Sequence, residues 1–430
     1  MSYESTSAPH DPVFSPALSP DEGVAAATAL FHEAFDCEPD GVWYAPGRVN
    51  VIGEHTDYNG GLALPIALPH RAHMALRRRE DRTIRLVSPQ TRETIDVLDL
   101  DQIGPKGTPG EVRHWNAYVA GVAWALEQDG LGPVSGFDAA LYSCVPLGGG
   151  LSSSAALEGA TVVALDEVNA LGLAGSAEEP NDAGRERLVT SCVRAENEMA
   201  GAPTGGMDQS ASLRCQAGHA LELDCRSGQV RQVPLDLAGA GLALLVIDTK
   251  AKHSHADGQY GSRRAACEKA ASLLGVDLLV EVSPEALPQA LERLEASGED
   301  GAELVRRTRH VVTEIQRTKD LVALLSDGQA LAGDKLAEVG TLLNASHDSL
   351  RDDYECTCPE LDVAVDAARA AGAYGARMTG GGFGGSAIAL VDADAVEQVA
   401  RAVVQAYARE GFDAPAFLDA VPSAPAGRLA

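Results

Sequence analysis

Val145-Pro-Leu-Gly-Gly-Gly-Leu-Ser-Ser-Ser-Ala-Ala156 sets glycines and serines between an apolar run and a helix-forming run. The apolar side, Phe137 to Val145, reads as a strand, and Leu151 to Leu171 reads as a helix. Glycine lets a backbone approach a ligand closely. The first turn of a helix adds unpaired N–H groups at the positive end of its dipole. The stretch is therefore a candidate anion site built without lysine. It lacks the Gly-Lys-Ser/Thr ending of a Walker loop, and no serine in it is flanked by glycines as in a hydrolase elbow. A tight turn capped by serines accounts for the same residues, so the loop alone leaves both readings open.

A second glycine loop, Thr379-Gly-Gly-Gly-Phe-Gly-Gly385, also lies between strand-like segments. Two such loops in one chain, together with the acidic clusters near them, move the balance towards phosphate binding. Between and around them the chain alternates without a regular repeat. Ser19, Pro20, Asp21 and Glu22 form a capping-box start, followed by Val24, Ala27, Phe31 and Phe35 at helical spacing. Short β-like segments are expected over Ile84 to Ser88 and Thr94 to Leu100, and a helix from His114 to about Glu127. A helix over Ala183 to Met199, a strand over Leu242 to Asp248, a largely helical stretch from Gly258 to Ser349 and a helix over Pro359 to Ala371 follow. This mixed order predicts an α+β fold.

At 430 residues the chain exceeds one comfortable core, so two intimately packed domains are expected. The expected division is a flexible tail over residues 1–21, an N-terminal domain over 22–213 and a C-terminal domain over 214–430. Hydrophobic residues make up 45%, enough for real burial, and the net charge is −28, from 62 acidic against 34 basic residues. Such a surface repels phosphodiester backbones, which argues against a nucleic-acid partner. It also requires any phosphate to be held by backbone N–H groups, Mg²⁺ and a few local cations. There is no signal-peptide pattern at the start and no apolar run near the length of about 18 residues that a membrane helix needs. Eight cysteines are spread thinly from Cys37 to Cys358. The expectation is a cytoplasmic protein with reduced thiols and no membrane partner.

Gly47-Arg-Val-Asn-Val-Ile-Gly-Glu-His-Thr-Asp-Tyr-Asn-Gly60 narrows the reading. It resembles the galactokinase signature, and the loops at Gly148 to Ser154 and Met378 to Gly385 resemble the second and third motifs of the wider GHMP kinases. The resemblance runs from about residue 23 to 420. It implies a two-domain GHMP-kinase fold with the active site in the cleft between N- and C-terminal domains. The reaction it implies moves the γ-phosphoryl of ATP to the anomeric hydroxyl of α-D-galactose, with galactose and ATP as small-molecule partners and the protein a monomer.

A neutral hexose offers only hydroxyls, so its site needs a fan of hydrogen-bonding groups rather than a countercharge. By resemblance Glu54, His55, Thr56 and Asp57 face the sugar, joined by Gly205 and Tyr260. A solvated polar turn is the competing account of Glu54 to Asp57. Asp208, in Gly205-Gly-Met-Asp208, matches the family's base, and Arg48 matches the arginine that stabilises phosphoryl charge. A structural ion pair is the alternative for Arg48. Gly148, Gly149, Gly150, Leu151, Ser152, Ser153 and Ser154 form the implied triphosphate cradle. Ser154 and Glu196 match the metal positions for Mg²⁺, which usually takes only one or two protein oxygens. Trp115 matches a position near adenine, with an apolar helix face as the rival explanation.

Thr204 and Gly206 depart from the cysteine and larger apolar residue of many galactokinases. Lys252-His-Ser-His255 and Cys356-Thr-Cys358 lack further ligands and are read as neither metal nor redox sites. Two rivals share the motifs: a kinase of N-acetylgalactosamine, galacturonate or arabinose, and a non-catalytic galactose sensor. Thr56-Asp-Tyr-Asn-Gly-Gly61 favours galactose. The intact Ser154-Ala-Ala156 run and Asp208 disfavour the sensor.

Overall fold

The computed structural model describes residues 11–89, 92–202, 204–251 and 256–430. The segment Lys252, His253 and His255 lies outside them. The architecture is α+β, with one six-stranded sheet, one five-stranded sheet, a small three-stranded sheet and helices packed around them.

The six-stranded sheet is centred on two long antiparallel strands, Gly41–Asn50 and Pro65–Arg78. Neither stood out in the sequence, because both faces of the pair are covered. Val42, Ala75 and Ala140 pack with Phe31 of helix Pro20–Phe35. Their neighbours Trp43, Met74 and Leu141 belong to the main core, with Ala160 and Val163 of helix Ser153–Val168. A sheet buried on both sides loses the polar–apolar alternation that marks a half-exposed strand. The register also shifts between Pro46 and Arg48. Such a bulge re-aims the side chains at the strand end, and Arg48 is the residue it turns.

The five-stranded sheet has Leu242–Asp248 at its centre, between Ser386–Asp392 and Ala416–Ala420. Gly375–Thr379 pairs antiparallel with Ser386–Asp392, so the second glycine loop is the connection of a hairpin. Helices Ala256–Leu274, Leu287–Glu295, Gly301–Ser326 and Gly333–Ser349 fill the long helical region expected before it.

The ends of the chain correct the expected division. Residues 1–21 are not all tail. Val13–Phe14 forms a short strand parallel to Ala416 and Phe417, with the Phe14 and Phe417 ring centroids 5.6 Å apart. The Ser19 capping box then starts the first helix as expected. At the other end, Gly427–Arg428 crosses back to pair with Tyr44 and Trp43 of the six-stranded sheet. Position 213/214 falls within helix Met207–Arg214, and the hairpin His219–Asp224 with Val230–Pro234 beyond it still pairs with Leu62–Ala63. The main core is continuous across both halves, joining Trp43 and Ile66 to Leu244, Leu343 and Leu390. Among the described residues, no helix is long and apolar enough to cross a membrane.

Candidate active site

Three backbone features converge between the two large sheets. The bulge at Gly47 brings the first strand against the first glycine loop, where Arg48 N donates to Leu151 O at 3.1 Å. A Cβ on Gly47 would stand 2.6 Å from that same carbonyl, so only glycine admits the contact. The two glycine loops lie back to back. Ser386 Oγ donates to Gly149 O at 2.6 Å, and a Cβ on Gly380 would meet Gly150 O at 3.0 Å.

A cavity of about 540 Å³ opens in front of the paired loops. It is lined by Arg48, Glu54, His55, Asp57, Gly150, Thr204 to Asp208, Tyr260 and the second glycine loop from Thr379 to Gly384. Of the residues implied for sugar and base, the structure thus brings Arg48, Glu54, His55, Asp57, Gly205, Asp208 and Tyr260 to one wall system. Thr56 is not among them. Its hydroxyl is fully buried and donates to Gly53 O and Leu62 O, which closes the turn behind the cavity. The expected sugar contact of Thr56 is corrected to a structural one.

Asp208 stands at the start of helix Met207–Arg214. Arg48 grips it through two parallel bonds, Nε to Oδ1 at 2.8 Å and Nη2 to Oδ2 at 2.9 Å, while Nη1 donates to Gly150 O at 2.7 Å. Ser152 Oγ also donates to Asp208 Oδ2. This has a consequence for the loop. Ser152 is the N-cap of helix Ser153–Val168, in a left-handed conformation with φ 58°, and its side chain makes no capping bond. With the hydroxyl turned to Asp208, no side-chain cap covers the amides at the helix start, where an anion binds best.

Glu54 is buried, and its carboxylate is surrounded by protein donors. Oε2 accepts from Asn50 Nδ2 and Arg377 Nη2, both at 2.7 Å, and Oε1 accepts from Gly380 N at 2.8 Å and Thr379 Oγ1 at 3.4 Å. A carboxylate has about four lone-pair positions, so these partners fill it. Burial raises its pKa, against the lowering pull of Arg377 and the Gly380 amide. His55 is likewise engaged at both ring nitrogens, by Tyr58 Oη at 2.9 Å and Gly381 O at 3.2 Å, and burial holds its pKa down at about 3. Asp57 is half-buried, and its pKa is pushed up to about 6 by desolvation, with Asp208 adding to the rise. A Cβ on Gly205 would stand 2.2 Å from Asp57 Oδ2, so glycine is what lets this carboxylate share the wall.

Glu196 lies in a π-helical turn, Ala195–Ala200, that ends the preceding helix. Such turns recur at functional sites because they push one residue out of helical register. It accepts from Thr204 Oγ1 at 3.1 Å and from Gln209 Nε2, and Ser154 also bonds to it. Burial first, then Asp208, raises its pKa to about 7. No group of three or more His, Cys, Asp or Glu able to hold a metal occurs among the described residues. A hydroxyl and a carboxylate meeting at one point still fit Mg²⁺, whose remaining ligands would be phosphate and water.

Trp115 does not line the cavity. It is half-buried at the start of helix Asn116–Gln128 and packs on the main core, so its side chain follows the apolar-face reading. A shallower hollow of about 420 Å³ adjoins the cavity and shares Lys106, Tyr118 and Ala200 with it, adding Arg113 and His114. Residues missed from sequence include Asn50, Arg377 and Gln209. One sign was available for Arg377, an arginine inside an otherwise buried strand, Gly375–Thr379.

Two sheets meeting at paired glycine loops, with an arginine-held aspartate between them, define a GHMP kinase. Matches to the GHMP kinase N-terminal domain over residues 117–216 and the GHMP kinase C-terminal domain over 329–409 agree. Mevalonate kinase shares the fold, with a TM-score of 0.56 at 17% identity, over 88% of this chain and 98% of that one. Residues 29–78 match the galactokinase galactose-binding signature. The chain is 51% identical to a galactokinase of Streptomyces coelicolor, over 93% of this chain and 97% of that one. It is 42% identical to a galactokinase of Bos taurus, over 90% and 92%. A galactokinase of Lactococcus lactis, solved in complex with galactose, superposes with a TM-score of 0.83 at 33% identity, over 94% of this chain and 98% of that one. The chain belongs to the galactokinase family.

Proposed function

We infer that this protein is a galactokinase, transferring the γ-phosphoryl of ATP to the anomeric hydroxyl of α-D-galactose to give α-D-galactose 1-phosphate and ADP. The observation that carries the site assignment is the bidentate Arg48–Asp208 pair, set between the two glycine loops and open to the cavity. A hydroxyl placed beside Asp208 meets an acceptor for its proton, and the guanidinium behind holds that carboxylate in place. In-line phosphoryl transfer needs little more from the protein than placement and positive charge.

We assign the sugar hydroxyls to Asp57, the Gly205 backbone and Tyr260, with Glu54 and His55, whose polar atoms are taken by protein partners, shaping the wall around them. The uncapped amides after Ser152 and the glycines from Gly148 to Gly150 suit the triphosphate. The hollow with Lys106, His114 and Tyr118 suits the nucleotide base. Ser154 and Glu196 would hold Mg²⁺, which supplies charge neutralisation at the phosphoryl oxygens when bound. We place the protein in a reducing cytoplasm as a monomer, in keeping with its acidic surface and eight unpaired cysteines. The N- and C-terminal domains are proposed to meet at this cavity.

ADP release with Mg–ATP tests the reading against galactose, N-acetylgalactosamine, galacturonate, arabinose and a no-sugar control. Galactose should give the highest kcat/KM. Faster turnover of another sugar would replace it, and sugar-independent ADP release would overturn the kinase assignment.

A further inference from the structure

His55 begins a chain of hydrogen bonds whose direction is fixed at its first link. Its Nε2 faces Gly381 O at 3.2 Å, and a carbonyl can only accept. Nε2 must therefore carry the hydrogen. With the ring uncharged, Nδ1 is then an acceptor, and the proton in its 2.9 Å contact has to come from Tyr58 Oη. Tyr58 has only one hydroxyl proton, so in its 2.6 Å contact with Tyr354 Oη it accepts and Tyr354 donates. By the same count Cys267 Sγ donates to Tyr354 Oη, at 3.2 Å. Each link has one permitted orientation.

Packing holds the chain in place. Tyr354 and Cys267 are buried, and the His55 and Tyr354 ring centroids lie 4.5 Å apart. The Tyr260 ring centroid lies 5.5 Å from that of His55. Its ring edge also flanks Gly381, where a Cβ would lie 3.5 Å from Tyr260 Cδ2. The carbonyl held by His55 thus belongs to the part of the second glycine loop beside the cavity. Neither tyrosine hydroxyl is among the groups assigned above to substrate.

We propose that Tyr58 and Tyr354 are positioning residues: they hold His55 as its Nε2–H tautomer, and that N–H pins the Gly381 carbonyl so that the sugar side of the second glycine loop keeps its shape. The inference rests on the reading of that loop as part of the phosphoryl-transfer site. Removing the Tyr58 hydroxyl takes away the donor that keeps a hydrogen off Nδ1, so only the Gly381 carbonyl then opposes the Nδ1–H form, and the part of the population that adopts it releases Gly381.

The test combines a spectroscopic and a kinetic measurement on the full chain. Long-range ¹H–¹⁵N spectra of histidine-labelled protein, assigned by comparison with His55→Gln, should show the Nε2–H form in the unaltered protein. In Tyr58→Phe they should show a shift to mixed or Nδ1–H form. The same variant should raise KM for galactose by about tenfold, the size of one neutral hydrogen bond, with kcat within about threefold of the starting value. Tyr354→Phe, one link further away, should raise KM by about threefold and serves if Tyr58→Phe does not fold. An Nδ1–H form in the unaltered protein, or a tautomer unmoved in both variants, overturns the chain. A moved tautomer with unchanged KM overturns its role at the loop. Because the tautomer is read without turnover, a failure of the chain stays distinguishable from a failure of the galactokinase reading.

Discussion

Among the described residues two acid–arginine pairs stand about one cavity, and they differ in what else surrounds them. Arg48 and Asp208 face the open side: the Asp208 side chain is 22% exposed and, among the described residues, accepts from Arg48 and Ser152. Arg377 and Glu54 lie beneath the wall, at 0% and 2% exposure. There Arg377 also donates to the carbonyls of Asn50 and Val51, both at 3.1 Å, and to Ser346 Oγ at 3.1 Å. Glu314, 3.9 Å from Arg377, is itself held by Arg317 at 2.7 Å and by Gly53 N at 3.1 Å. The chemistry of the two pairs is the same. A carboxylate with free acceptor capacity facing a cavity can take a proton from a ligand, whereas one filled by protein donors joins backbone segments together. Here the sealed pair ties the Asn50-to-Glu54 turn to the strand and loop that follow Arg377.

The largest expected effect separates the pairs by function. Asp208→Asn should fold and bind galactose yet lower kcat on the order of 10³-fold, since it removes the acceptor while keeping the shape. ADP release alongside direct sugar binding checks this, and near-normal turnover would break the assignment. The reverse profile is expected for Arg377→Met. Losing one partner of a buried pair leaves Glu54 uncompensated and should cost about 3–5 kcal/mol of folding stability. Denaturant titration reads that loss, and an unchanged midpoint would make the two pairs equivalent after all.

Smaller effects sharpen the contrast on the open side. Glu196→Gln should raise the Mg²⁺ concentration needed for half-maximal rate by about tenfold or more, since losing even a group that only hydrogen-bonds to a metal ligand costs about that much. A magnesium titration superimposing on that of the unaltered protein would remove Glu196 from the metal site. The smallest effect is expected from Asp57, whose pKa of about 6 lies above the ordinary aspartate range. Its folded form holds a proton that the unfolded chain has released, so stability from this group falls as pH rises between about 4 and 6. Galactose affinity should move the other way if the ionised carboxylate accepts sugar hydroxyls, improving through pH 6. Asp57→Asn should flatten both trends, and a stability profile of unchanged slope over that range would contradict the shift.

The same contrast explains what could be read without coordinates. The α+β class, the helices over Pro20–Phe35 and Pro359–Ala370, the strand Leu242–Asp248 and both glycine loops were visible because each rests on local chemistry. A capping box, a 3.6-residue period, an apolar strand and a glycine run need no distant partner to be recognised. The two longest strands were not visible, since burial on both faces erased their alternation and Pro46-Gly47 interrupts the first. Trp115 and Thr56 were placed at the site by resemblance, and their packing puts Trp115 on the core and Thr56 inside a turn.

By itself, then, the sequence marked Gly148 to Ser154 as a candidate anion loop and carried a galactokinase signature at Gly47 to Gly60. Residue type and order suffice for that, because glycine conformation, helix ends and hydroxyl-rich turns act over a few residues. Only the tertiary structure decided which acid stays available to a ligand. Asp208 and Glu54 look alike in the chain, and what distinguishes them are donors 160 and 323 positions away, Arg48 and Arg377. A carboxylate's role follows from how many of its lone pairs the folded protein has already filled, and that number exists only once distant segments have met.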